Sequence, residues 1–218
     1  MKKKLVIFDM DGTILDTMED LQDAANATTD HFGYPRAGRK AVRLGLGNGA
    51  RFLVKSILPE GTAEAEIDRV LDFYALYYKE HSQIKTRPYA GIPELLRALR
   101  QAGVLTAVVS NKPDLAVQSL CKHFFSGLFD FSCGERQGIR RKPFPDSVNE
   151  VLTKLQIARE DAVYVGDSEV DFQTGLNARM DSVIVDWGFR TEAELRAAGA
   201  RIIVSSAAEL AGFLGVNL

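Results

Sequence analysis

Cysteine is scarce in this chain: 218 residues contain only Cys121 and Cys133. Both lie in or beside apolar segments, which excludes a disulfide-stapled fold and a cysteine metal knuckle and fits reduced thiols of a cytoplasmic protein. Surplus charge is equally scarce. Lys and Arg total 27 against 29 Asp and Glu, a formal net charge of -2, so no basic field points to nucleic acid as a partner. No apolar run is long enough to span a bilayer, so no membrane partner is expected. The basic opening Lys2-Lys3-Lys4 resembles the start of an export signal, but the apolar run behind it stops at Asp9, too short for one. Repeats and low-complexity tracts are missing too. What is there, 46% apolar residues, suffices for one core with a small accessory domain. A monomer or weak homodimer is expected.

The most informative stretch is Leu5-Val6-Ile7-Phe8-Asp9-Met10-Asp11-Gly12-Thr13. A short continuous apolar run with β-branched members reads as a strand buried on both faces. Charge is excluded from the middle of such a strand, so Asp9 marks its carboxyl end. Gly12 permits a sharp exit turn, and Thr13 can satisfy backbone or ligand groups there. Ligands of open α/β sheets bind at the carboxyl ends of the strands, and two carboxylates there invite a hard divalent cation. A plain polar turn is the simpler alternative. A calcium loop is not, because Ile14, Leu15 and Thr17 are the wrong ligands.

Beyond Thr13 the pattern turns helical, from about Thr17 to His31, Ala50 to Leu58 and Thr62 to Tyr78, with a basic segment Arg36 to Arg43 and the run Gly45-Leu46-Gly47-Asn48-Gly49 between. No strand pattern appears before Ile84. Strands and helices then alternate. Strands are predicted at Val104 to Val109, Phe129 to Phe131, Ala162 to Val165, Val183 to Val185 and Ile202 to Val204. The expected fold is α/β: a Rossmann-like parallel sheet with helices on both faces, from residues 1–15 and 85–218, plus an all-helical cap domain over 16–84.

Polar groups cluster where the apolar runs end or in the loops that follow: Asp9 with Asp11, Ser110 with Asn111, Lys142, and Asp167 with Asp171. Carboxylates here would bind Mg²⁺ together with phosphate oxygens, and a lysine and a hydroxyl would hold the remaining oxygens. Asp9, rigid at a strand end, is the better placed nucleophile, while Asp11 on the turn could protonate the leaving oxygen and then activate water. Taken singly, Ser110, Asn111 and Asp167 could be helix caps and Lys142 a solvated charge. Their joint occurrence favours chemistry.

Asp9-x-Asp11-Gly12-Thr13, Ser110-Asn111-Lys112, Lys142-Pro143-x-Pro145-Asp146 and Gly166-Asp167-Ser168-x-x-Asp171 resemble, in order, the four motifs of the haloacid dehalogenase superfamily. The resemblance implies an aspartyl-phosphate on Asp9, acid/base work by Asp11 and phosphate binding by Ser110 and Lys142. It implies Mg²⁺ on the Asp9 carboxylate, the Asp11 carbonyl and Asp167, with Asp171 holding metal-bound water. Softer signals, including Gly47-Asn48-Gly49-Ala50 and Trp187-Gly188-Phe189-Arg190, are similar to the phosphoglycolate phosphatase group. Ala178-Arg179 departs from the family's usual Ala-Gly and puts that turn in doubt. The implied activity is a phosphomonoesterase for a small phosphorylated metabolite such as 2-phosphoglycolate. Thr13, Asn111, Arg43, Gly47 and Asn48 are the candidate substrate contacts, Arg43 for a carboxylate. Alternatives are another phosphate ester or pyrophosphate, a sugar-phosphate mutase of the same superfamily, or a phospho-aspartate receiver domain.

Overall fold

The computed structural model describes residues 3–218; Lys2 of the basic opening lies outside them. The strands are β1 (Leu5–Phe8), β2 (Leu15–Asp16), β3 (Arg87–Pro88), β4 (Leu105–Pro113), β5 (Phe131–Glu135), β6 (Ala162–Gly166), β7 (Asp181–Val185) and β8 (Ile203–Val204). The helices are α1 (Met18–Phe32), α2 (Arg39–Gly45), α3 (Ala50–Ile57), α4 (Glu64–His81), α5 (Ile92–Gln101), α6 (Asp114–Phe124), α7 (Asp146–Leu155), α8 (Glu169–Asn177), α9 (Glu192–Ala197) and α10 (Ala207–Leu214). The chain divides into two compact units: residues up to Leu15 with Pro88–Leu218, and Asp16–Arg87.

The larger unit is built on a six-stranded sheet in the order β5-β4-β1-β6-β7-β8, parallel throughout. All of β1 is buried because its side chains feed both faces. Val6 and Phe8 join a cluster with Leu95 and Leu99 of α5, Leu120 of α6 and Leu210 of α10. Leu5 and Ile7 join Val148, Val151 and Leu152 of α7. Each such side chain contributes about 1.5–3 kcal/mol by leaving water. The chain builds outward from β1 through β4 to β5, then resumes on the other side with β6. The order therefore reverses at β1, and a crevice opens at the carboxyl ends of β1, β4 and β6.

β2 and β3 were not expected as strands, and β4 and β5 depart from their expected bounds. β4 continues to Pro113, and its pairing with β5 shifts between Val109 and Pro113, an irregularity of the kind that re-aims side chains. β5 starts at Phe131 rather than Phe129: the Thr106 N–H of β4 donates to the Asp130 carboxylate at 2.8 Å, and the Phe129 ring packs edge-on against Phe8 and Phe125, at centroid distances of 6.4 and 5.5 Å. Arg179 adopts φ 52, in the left-handed region. The turn after α8 keeps its bonds, Met180 N–H donating to Gly175 O at 3.0 Å, so arginine accepts a conformation that is worse by about 1–2 kcal/mol than for glycine.

The smaller unit is helical, α1 to α4, and runs to Arg87 where the predicted insert stops at 84. α2 was expected only as a basic segment; Val42 and Gly45 are its only buried residues, too few to show an apolar stripe. Within this unit Asp20 is buried and accepts bonds from Lys85 N–H, Thr86 N–H and the Thr86 hydroxyl, tying the returning chain to α1.

Candidate active site

The turn after β1 is shaped by its own backbone: Ile14 and Leu15 N–H both donate to Met10 O at 3.0 Å. Asp9 N–H donates to Val165 O at 2.8 Å, which fixes the start of the turn to β6. Gly12 sits at φ 84, and a Cβ there would overlap the Asp167 carboxylate. Only glycine lets the two segments approach this closely.

Asp9, Asp167 and Asp171 each bring a carboxylate oxygen within 4.8 Å of the others, and all three are buried. Asp167 accepts from the Thr13 hydroxyl at 3.1 Å and from Phe189 N–H at 2.8 Å. Asp171, the third residue of α8, forms a capping box with Ser168 and accepts from the Tyr164 hydroxyl at 3.1 Å. The Lys142 ammonium lies 2.8 Å from Asp9 and 2.7 Å from Asp171. With all three carboxylates ionised, one ammonium would leave two buried negative charges uncompensated. Burial, reinforced by Asp171, pushes the Asp9 carboxyl up to about 7 against the pull of Lys142. Burial, then Asp171 and Asp9, also raises Asp167 well above the carboxylate range. For Lys142, burial favours the neutral amine, but Asp171 and Asp9 outweigh it and hold the ammonium well above its usual value. A divalent cation on these hard oxygen donors would restore charge balance, so the residues present fit one.

Lys142 is placed by Asn111, whose amide accepts Lys142 N–H at 2.8 Å and donates to Lys142 O at 3.0 Å. Ser110 is buried and its Oγ accepts Lys112 N–H at 3.3 Å, leaving its own O–H to donate. The Asp11 carboxylate is outside the three-acid cluster; both its oxygens accept from Lys112 Nζ, at 2.9 and 2.8 Å.

Residues 6–185 match the family model of haloacid dehalogenase-like hydrolases. The chain belongs to that family. A phosphoglycolate phosphatase of Pseudomonas putida is 33% identical over 85% of this chain and 70% of its own length. An N-acetylmuramic acid 6-phosphate phosphatase of Pseudomonas aeruginosa is 30% identical over 87% of this chain and 84% of its own. A solved structure from Lactobacillus delbrueckii subsp. bulgaricus, provisionally named phosphoglycolate phosphatase, superposes with a TM-score of 0.93 at 42% identity, covering 98% of this chain and 99% of that one. With such relatives this hydrolase is a phosphatase, and its relatives' substrates are small phosphate esters. Phosphatases of this family generally use a divalent metal, in keeping with the acidic cluster. Among the described residues no helix is long and apolar enough to cross a membrane.

In the hydrolase, Asp9, Lys142, Asp167 and Asp171 come together, and Ser110 lies within β4, the strand beside β1. Two of the expected substrate contacts, Thr13 and Asn111, have partners within the chain. Thr13 is fully buried with its hydroxyl on Asp167, so it supports a carboxylate of the cluster. Asn111 has both ends of its amide on the Lys142 backbone and so positions that lysine. Asp171, expected among the metal residues, is a member of the cluster and also a direct partner of Lys142. Arg43, Gly47 and Asn48 belong to the helical unit, Arg43 within α2. Sequence reasoning missed the loop after β7. There Trp187 Nε1–H donates to Thr13 O at 3.0 Å, Phe189 N–H reaches Asp167, and a Cβ on Gly188 would overlap both Asp167 and Gly12 O. The run Trp187-Gly188-Phe189-Arg190 was visible as a signal, but its contact with the first turn was not. Lys112 was likewise seen only as a motif residue.

Proposed function

We propose that this phosphatase is Mg²⁺-dependent and hydrolyses a small phosphorylated carboxylic acid, 2-phosphoglycolate first among them, through a phospho-Asp9 intermediate. The observation that carries this is the buried triad Asp9, Asp167 and Asp171 with Lys142 bonded to two of its members. Asp9, Asp167 and Asp171 would hold Mg²⁺ by their side chains and Asp11 by its carbonyl. When bound, the ion supplies the positive charge that lets an anionic carboxylate approach a phosphate dianion. Lys142 and the Ser110 hydroxyl bind phosphate oxygens. An Asp9 carboxylate oxygen forms a bond to phosphorus as the ester P–O bond breaks. The electron pair goes to the leaving oxygen, which takes its proton from the Asp11 carboxyl. Asp11, now a carboxylate, removes a proton from water as the water oxygen bonds to phosphorus. The Asp9–phosphorus bond then breaks, releasing inorganic phosphate. Positioned acid/base catalysis of this kind contributes about 10²–10⁴-fold.

The names of the two curated relatives describe phosphate esters of carboxylic acids; this supports an acid as substrate, with N-acetylmuramic acid 6-phosphate as our second candidate. We assign selection of the leaving group to the helical unit as a cap, with Arg43 for the carboxylate and Gly47 and Asn48 beside it. The setting is cytoplasmic and the protein a monomer or weak homodimer.

A panel of phosphorylated metabolites scored for phosphate release with Mg²⁺ and with chelator tests the assignment. Release from 2-phosphoglycolate that chelator abolishes and Asp9→Asn eliminates is expected. Isomerisation of a sugar phosphate without release, or release indifferent to chelator, would overturn it. Arg43→Ala is expected to raise KM for the acid more than for an aryl phosphate; equal shifts would remove Arg43 from substrate choice.

A further inference from the structure

The mechanism above gives the buried cation Lys112 no task. Lysine is rarely buried unless paired, yet Lys112 is 7% exposed and its ammonium grips both oxygens of Asp11, 101 residues away in the chain. Lys112 reaches there because β4 runs on past Val109, through the stretch where its pairing with β5 is irregular. Lys142 is already engaged by Asp9 and Asp171. The two lysines therefore serve different carboxylates.

We infer that Lys112 is the positioning residue for the acid/base carboxylate of Asp11. This rests on the roles proposed for Asp9 and Asp11. A carboxylate on a turn has two torsions to wander through. A donor on both oxygens confines them, so that proton delivery and water activation start from one geometry rather than many. The ammonium touches neither phosphorus nor the leaving group; it acts through Asp11. The effect must therefore depend on how much the leaving oxygen needs a proton. An alkyl phosphate needs one; p-nitrophenyl phosphate, whose phenolate leaves unaided, does not. Hydrolysis of phospho-Asp9 needs Asp11 whatever the first substrate was.

The experiment compares wild type, Lys112→Met, Lys112→Arg and Asp11→Asn on 2-phosphoglycolate, or the best alkyl ester of the panel, and on p-nitrophenyl phosphate, in the steady state and by rapid mixing. Lys112→Met is expected to lower kcat for the alkyl ester about 10–100-fold, a fraction of the full acid/base contribution. With the aryl ester it should release about one equivalent of phenolate in a burst, followed by slow turnover, and Lys112→Arg should recover part of the loss. The thermal shift produced by Mg²⁺ should persist in Lys112→Met. Equal losses on both esters without a burst, or an unchanged kcat, would overturn the inference. Should Lys112→Met give no melting transition, Lys112→Gln is read by the same criteria. Asp11→Asn separates the two levels. If it shows the leaving-group dependence and Lys112→Met does not, the link from Lys112 fails alone. If Asp11→Asn shows none, the roles of Asp9 and Asp11 fall and the inference with them.

Discussion

Two lysines lie in one crevice of this phosphatase, nearly equally buried, and their surroundings differ. Lys142 ends against Asp9 and Asp171, whose side chains are 7% and 0% exposed, whereas Lys112 ends on Asp11, whose side chain keeps 17%. The inner lysine offsets acids crowded together in a medium of low dielectric, where like charges repel strongly. In the proposed mechanism the outer one holds the acid that meets the leaving group and the water molecule. On this proposal depth decides which service a buried cation performs: charge balance inside, aim at the mouth.

The sharpest way to break this contrast is to remove each ammonium in turn. Lys142→Met should reduce kcat/KM by about 10³-fold or more, since it strips the phosphate of a charged donor and leaves Asp9 and Asp171 uncompensated. Breaking a buried pair of this kind typically destabilises by about 3–5 kcal/mol, read as a lower melting temperature of the metal-free protein. If Lys142→Met and Lys112→Met lose activity and stability alike, inner and outer are the same.

A smaller effect sharpens the electrostatic side. The Asp9 carboxyl is raised from 3.8 to about 7 in the folded chain. The folded state thus holds a proton there that the unfolded state has lost, so the contribution is fully present below pH 3.8 and disappears as pH rises through about 7. Asp167 is raised in the same sense. Metal-free protein should therefore melt at progressively lower temperature from pH 4 to 7 as far as these groups decide it, and Asp9→Asn should flatten that slope. Mg²⁺ should stabilise more at the high end of this range, where the carboxylates are ionised. A slope unchanged by Asp9→Asn would separate the acid cluster from the pH response.

The smallest effect concerns Trp187. Trp187→Phe keeps the ring packing and removes the N–H donated to Thr13 O, a loss of about 1 kcal/mol, expected as a few-fold higher Mg²⁺ requirement in activity titrations. No change would make that bond incidental to the cluster.

The large-scale organisation was legible because its physics is local. Leu5 to Phe8 declares a doubly buried strand by composition, and the charge at Asp9 marks where it must end. The same logic put Asp167 just past β6, whereas Ser110 lies inside β4, which runs on to Pro113. What escaped depended on contacts distant in sequence or on weak patterning. Lys112 looked like a motif residue after a strand that should have ended at Val109, and nothing in its neighbours signals Asp11. Thr13 and Asn111 are polar groups beside a ligand crevice, for which substrate contact and support of another side chain look alike in sequence. Helix α2 has no apolar stripe to announce it.

Asp167 is walled in by two missing side chains. Gly12 lies against it from the first turn and Gly188 from the loop after β7. Alanine, the mildest replacement, would at either position drive a methyl group into the carboxylate. Laboratory evolution aimed at new esters should therefore leave those two codons untouched, and a natural variant that alters either would be expected to fold poorly around its ion before any change in substrate preference could be seen.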